Sequence, residues 1–259
     1  ARLAEYHDLM AFLEDNPAVR RVHPTAGLQR FGGPVRLTVL APAVVLRNQY
    51  DTYGVQPNNS SISLTIDFPV RRALLDRDAP KGTGRSYRAT PASQRLLLGA
   101  DAQTEAWSRV VADSSQMDPK YSPAAGVLRL AGGNEPLAAD VFKVPHHASK
   151  RGLNLELVER ADPAVSLVSC QVGTRGYGFP HLVAVDQLRE ALQPIATGKA
   201  KRRHDWELGI HYTGSSVETE RGRARPLGSI AMVLGPTGRK RQLWRFGDQA
   251  GSYIGLPEL

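Results

Sequence analysis

The chain has 259 residues, 41% hydrophobic and 22% charged, the proportions of a sequence that folds around a core, with length for one large domain or two small ones. A single cysteine, Cys170, excludes an internal disulfide framework and a cysteine-rich zinc site; no apolar run approaches the ~20 residues of a membrane-spanning helix, so a cytoplasmic setting without a membrane partner is expected. The net charge of +8 is unevenly spread, because eleven Lys/Arg face four acids between Gly198 and Arg245, which puts +7 in that stretch.

Taken in order, Glu5 to Leu13 has helical spacing with Leu9, Phe12 and Leu13 on one face, closed by Asn16-Pro17. Val19 to Val22 is a short strand candidate, and Phe31-Gly32-Gly33-Pro34 reads as a turn. Val35 to Leu40 alternates as a strand and stops at Ala41-Pro42. After a loop to Pro57, the turn Asn58-Asn59-Ser60-Ser61 leads into Ile62 to Phe68. The period of two in that run puts Ile62, Leu64, Ile66 and Phe68 on one face of a strand. Arg71 to Pro91, rich in Arg, Asp, Gly and Pro, reads as an exposed insertion or long hairpin loop.

Leu96 to Leu98 is a short apolar strand with Asp101 after its end. A helix over Ala102 to Ala112 follows, with Ala106, Trp107, Val110 and Val111 as its apolar stripe. Val127 to Leu130 is a further strand candidate. Val141 to Val144 is a strand ending at Pro145-His146-His147, Leu153 to Ala161 a short helix, and Val165 to Ser169 the next strand. So short a strand–helix–strand crossover predicts parallel pairing. A loop carrying His181 precedes an amphipathic helix over Val183 to Leu192, stopped by Pro194. Leu208 to Tyr212, Ser229 to Leu234 and Arg241 to Phe246 read as a terminal β-meander.

Asp101, His146, His147 and His181 therefore all fall at, or in loops near, the carboxyl ends of strands, where open α/β sheets gather their ligands. A carboxylate with two or three imidazoles is a donor set that zinc or manganese accepts. Each residue also has a plainer reading: Asp101 as the N-cap of the helix after it, His146-His147 as a polar turn, and Asn58 to Ser61 as a turn before a strand.

Leu96-Leu97-Leu98-Gly99-Ala100-Asp101, Val141 to Ser149 (Val-Phe-Lys-Val-Pro-His-His-Ala-Ser) and Tyr177-Gly178-Phe179-Pro180-His181 resemble the later motifs of the metallo-β-lactamase fold. The match is closest to the competence-type branch found in the hydrolase domain of the DNA-uptake channel protein ComEC. The Asn-Asn-Ser-Ser lead into Ile62 to Phe68 matches as well, so the resemblance covers roughly residues 35 to 195. Ala100 is inserted before the aspartate, Ala148 stands where the family has glycine, and Phe179 stands where the loop has its first histidine. The family's first metal motif, His-x-His-x-Asp-His, has no counterpart in the chain.

The resemblance implies an α/β fold, the C-terminal half of an αββα sandwich with a mixed sheet. Residues 1–195 would form an N-terminally incomplete domain, and 196–259 a basic, β-rich extension packed on it. It implies metal-dependent hydrolysis, directed at a phosphodiester or nucleic acid and impaired without the first motif. Asp101 would bridge two metals, His146 or His147 would ligate the second, and His181 would be a ligand or an outer-sphere partner. Asn59, Ser60, Ser149 and Lys150 are the candidate substrate contacts. The alternative is a non-catalytic fragment or binding module, with a basic surface carrying Arg202, Arg203, Arg239, Lys240 and Arg241 for nucleic acid or a protein partner.

Overall fold

Seven strands form one mixed sheet whose spatial order follows the chain: β1 (Gln29–Gly32), β2 (Val35–Ala41), β3 (Ser63–Ala73), β4 (Tyr87–Leu98), β5 (Val141–Lys143), β6 (Val165–Val168) and β7 (Ile210–Tyr212). Pairing is antiparallel from β1 to β4 and parallel from β4 to β7. The structure, a computed structural model, describes residues 2–19, 22, 24–32, 34–44, 57–73, 87–116, 137–170, 178–193, 204–214, 219–220, 223–224, 228–235, 241–246 and 253–255. The expected strand at 127–130 and the basic residues Arg202, Arg203, Arg239 and Lys240 lie outside them, and Arg241 is described only as a backbone position in a strand.

Three helices, α2 (Thr104–Gln116), α3 (Leu155–Ala161) and α4 (Leu182–Leu192), contribute to the core on one face of the sheet. Register puts Leu97, Phe142, Val168, Ile210 and Tyr212 on that face, where all are fully buried. Ala106, Trp107 and Val110 of α2, Leu157 and Val158 of α3, and Ala184, Val185 and Leu188 of α4 close the same core. The β5–α3–β6 crossover is parallel as its length requires. Asn154 caps α3, its Oδ1 accepting the Leu157 N–H at 2.8 Å, which satisfies one of the donors a helix start leaves open.

The opposite face, with Leu96, Val141, Val165 and Leu167, packs against a three-stranded sheet of β10 (Ser229–Leu234), β11 (Arg241–Phe246) and β12 (Tyr253–Gly255). Leu243, Ile230, Met232 and Leu234 supply that contact. A cavity of about 570 Å³ remains between the sheets, lined by Phe68, Leu96, Val141, Leu167, Met232 and Leu234 among others. A two-residue ladder, β8 (Thr219–Glu220) with β9 (Arg223–Ala224), stands apart.

Several expectations change. Leu208 to Tyr212 does not belong to a terminal meander: β7 joins the main sheet beside β6, and Tyr212 and Ile210 sit in its core. Gly209 makes this junction possible, since at φ 74° its Cα hydrogens face the Ala164 carbonyl, where any Cβ would collide. Phe31 and Gly32 belong to β1, so the turn is only the tip of a hairpin in which Gly32 pairs with Val35. The expected insertion or hairpin loop at 71–91 is shorter at both ends, because β3 runs to Ala73 and β4 starts at Tyr87, and 74–86 lie outside the described residues. The helix at the start, α1 (Arg2–Asp15), leaves Leu9 and Phe12 exposed, so its apolar stripe is not part of the described core.

The alternation of β3 also carries a surprise. Its polar face is the more deeply buried one: Ser63, Thr65 and Asp67 are all under 5% exposed, while Ile62 is 45% exposed. Asp67 anchors that face. It accepts Arg95 Nε at 2.7 Å and Arg36 Nη2 at 3.0 Å from the two neighbouring strands. Ionised groups at this depth persist because each charge has its partner.

Candidate active site

The carboxyl ends of β4, β5 and β6 point the same way, and the loops that follow are stitched together through main chain. Gly99 N–H donates to the Lys143 carbonyl at 3.1 Å, and His146 N–H to the Ala100 carbonyl at 2.8 Å. The His181 N–H reaches the Ala148 carbonyl at 3.0 Å. Gly99 is required by closeness: a Cβ there would stand 2.8 Å from Pro145 Cβ. Ser63 Oγ donates to the Gly99 carbonyl at 3.1 Å, tying the start of β3 to the same rim.

Backbone strain concentrates in these loops. Ala100 has φ 45°, and His146, His147 and Ala148 follow one another at φ 44°, 56° and 59° inside a 3-10 turn, Pro145–Ala148. For residues with a Cβ the left-handed region costs roughly 1–2 kcal/mol each, so surrounding contacts must hold them there. Ala148, fully buried, occupies a conformation that suits glycine.

Asp101 is exposed and stands three residues ahead of α2, which begins at Thr104, so helix capping is not its role. It is close enough to His146 and Lys143 to favour their charged forms. Burial outweighs it at both: the His146 pKa is lowered by desolvation first, with His147, His181 and Arg151 acting in the same direction, and the Lys143 ammonium is lowered by desolvation too. Gln103 Nε2 lies 3.5 Å from His146 Nδ1, a long contact. His147 Nδ1 is 2.7 Å from the Ser169 carbonyl, and the Lys150 N–H donates to His181 Nδ1 at 3.1 Å.

Phe179 lies among the three imidazoles, its ring centroid 5.5 Å from that of His146, 5.6 Å from His147 and 5.0 Å from His181. The His146 and His147 rings are 6.4 Å apart. The four expected residues are therefore gathered on one rim, but an ion needs three or more donors aimed at one point. Among the described residues no three His, Cys, Asp or Glu side chains meet that need. As they stand, these residues do not fit a metal by themselves.

Of the expected substrate contacts, Lys150 is exposed beside the rim, while Ser149 is buried, its Oγ accepting the Arg151 N–H at 3.3 Å. Asn59 is 2% exposed and donates through Nδ2 to Glu105 at 2.7 Å, which binds its turn to α2; the Asn59 Oδ1 and Ser60 Oγ atoms are buried. Sequence reasoning gave no role to Gln103, Lys143 and the Ser169 carbonyl. Lys143 carried a readable signal, a lone cation closing an apolar strand; the other two become neighbours of the rim only through the fold.

Comparison with protein-family models, with curated proteins and with solved structures gives no match to this chain. None of the described helices is long and apolar enough to cross a membrane.

Proposed function

We propose that the rim of Asp101, His146, His147 and His181 is part of the active site of a hydrolase of metallo-β-lactamase type, directed at a phosphodiester such as nucleic acid. The observation that carries this reading is the convergence of one carboxylate and three imidazoles on the rim at the ends of adjacent parallel strands, with His146 and His147 on backbone held in left-handed conformations. Strain of that kind, kept in place by main-chain hydrogen bonds, is typical of sites where geometry serves chemistry. On this reading a zinc or manganese ion would need further ligands, since the residues of the rim cannot hold it unaided. The motif spacing and the half-sandwich of helices, sheet and second sheet support the same family. The chain's own contribution is to fix the imidazoles, keep His146 neutral near pH 7 and supply cations, Lys150 and Arg151, beside the rim.

The test is metal content by mass spectrometry after exposure to zinc or manganese, with hydrolysis of bis(p-nitrophenyl) phosphate, for the natural chain and Asp101→Ala. The expected result is loss of both metal and turnover in the variant. Full metal occupancy and undiminished turnover without Asp101 would overturn the reading. A second reading, a binding module using its basic C-terminal segment for nucleic acid, is favoured by Phe179 standing among the imidazoles. Salt-sensitive DNA binding by a chain with neither metal nor turnover would select it.

A further inference from the structure

His147 and His181 look alike in sequence, yet the main chain treats their rings in opposite ways. The partner of His147 Nδ1 is the Ser169 carbonyl, 2.7 Å away. A carbonyl oxygen only accepts, so Nδ1 must carry the hydrogen, and the neutral ring keeps its lone pair on Nε2. The partner of His181 Nδ1 is the Lys150 amide, 3.1 Å away. An amide N–H only donates, so Nδ1 must be bare, and the neutral ring carries its hydrogen on Nε2. Neither assignment depends on how a side-chain amide or hydroxyl is oriented, because both partners are backbone groups.

His181 is also the residue immediately before α4, with φ −72° and ψ 133°. Its own N–H is fixed on the Ala148 carbonyl, and Phe179 meets it edge-on at 5.0 Å and 80°. The ring is thus held from the backbone, from its Nδ1 and from one side.

We infer that the two histidines do opposite work: His147 Nε2 is an electron-pair donor, to a proton or an ion, whereas His181 is a hydrogen-bond donor that grips an oxygen of the substrate and is not a metal ligand. The substrate oxygen it suits is an anionic one, the non-bridging oxygen of a phosphate ester, with Lys150, whose amide meets the ring, as an exposed cation beside the rim. This deepens the hydrolase reading and takes its catalytic meaning from it, but its physical content is measured without turnover.

The experiment uses the full chain with 15N-labelled histidine at about pH 8, above the usual imidazole range. Long-range proton–nitrogen correlation spectra distinguish a protonated from a bare ring nitrogen. The expected pattern is Nδ1–H with bare Nε2 for His147 and the reverse for His181. The same tautomer in both rings, or the reverse pair, overturns the inference. Inorganic phosphate is then titrated as the probe. It is expected to shift the His181 Nε2 signal, and His181→Ala should weaken its binding by about tenfold or more. His181→Gln, whose amide places a donor near the Nε2 position, should restore most of that affinity. No phosphate response in the natural chain, or equal losses in both variants, overturns the role of His181 as oxygen donor. If the tautomers and phosphate binding hold while no phosphodiester is cleaved, it is the hydrolase reading that fails.

Discussion

The two halves of the main sheet are held together by different means. In the parallel half, β4 to β7, the helix-side residues Leu97, Phe142, Val168 and Ile210 are apolar and fully buried. In the antiparallel half, β1 to β4, the same face carries Arg36, Thr38, Ser63, Thr65, Asp67 and Arg95, with Asp67 joining two arginines. Apolar packing is non-directional and tolerates exchange of similar volumes. A buried ion pair is directional and fails abruptly when one member goes. The rim sits on the half that is packed, and the charged half orients the strands leading to it.

The largest expected effect is at Asp67. Replacing it by Ala leaves Arg95, 8% exposed at its side chain, without its carboxylate, and should cost about 3–5 kcal/mol in urea unfolding. The double variant Asp67→Leu with Arg95→Met removes the buried pair and leaves Arg36, 29% exposed at its side chain, within reach of water, so stability should return to within about 1–2 kcal/mol of the natural chain or exceed it. An equal loss in both would mean that the network is not what holds the antiparallel half.

At the junction of the halves, Gly99→Ala puts a methyl group 2.8 Å from Pro145 Cβ, with the Lys143 carbonyl at 3.0 Å. The expected cost is about 1–3 kcal/mol, with altered histidine signals at the rim. Unchanged stability and spectra would show that the two loops move apart freely.

The smallest expected effect is on pH dependence in the packed half. The His146 pKa is lowered in the folded chain, chiefly by burial, so below about pH 6.5 the unfolded chain binds a proton there that the folded one does not. Stability should therefore fall as pH drops through that value toward the lower folded pKa. His146→Asn should flatten this part of the profile, as followed by thermal unfolding between about pH 5 and 8. An identical profile in the variant would assign the slope to other groups.

Much of the packed half was legible in the sequence, because short apolar runs such as Leu96 to Leu98, and Val141 to Val144 broken only by Lys143, announce strands covered on both faces. The strand-end placement of Asp101 and His146-His147 was legible for the same reason, since they follow those runs. The charged half was not. Arg71, Arg72 and Arg88 read as part of an exposed loop, although β3 and β4 pair across them. Burial of Asp67 depends on arginines 31 positions before it and 28 after it, which no local period reveals. Nor did spacing reveal β7 beside β6, as parallel pairing leaves no turn between the partners. The opposite tautomers of His147 and His181 depend on a carbonyl 22 residues away and an amide 31 residues away.

Among the contacts that link the three loops of the rim, Gly99 to Lys143, His146 to Ala100, His181 to Ala148 and Lys150 to His181, every one uses at least one backbone group and three use nothing else. A scaffold fastened this way keeps its shape while side chains are exchanged on it. Alanine at 148 and phenylalanine at 179 already stand on it without loosening those links. The rim is therefore a platform on which new chemistry can be installed one side chain at a time, starting at Phe179, whose ring stands 5.0 to 5.6 Å from three imidazoles.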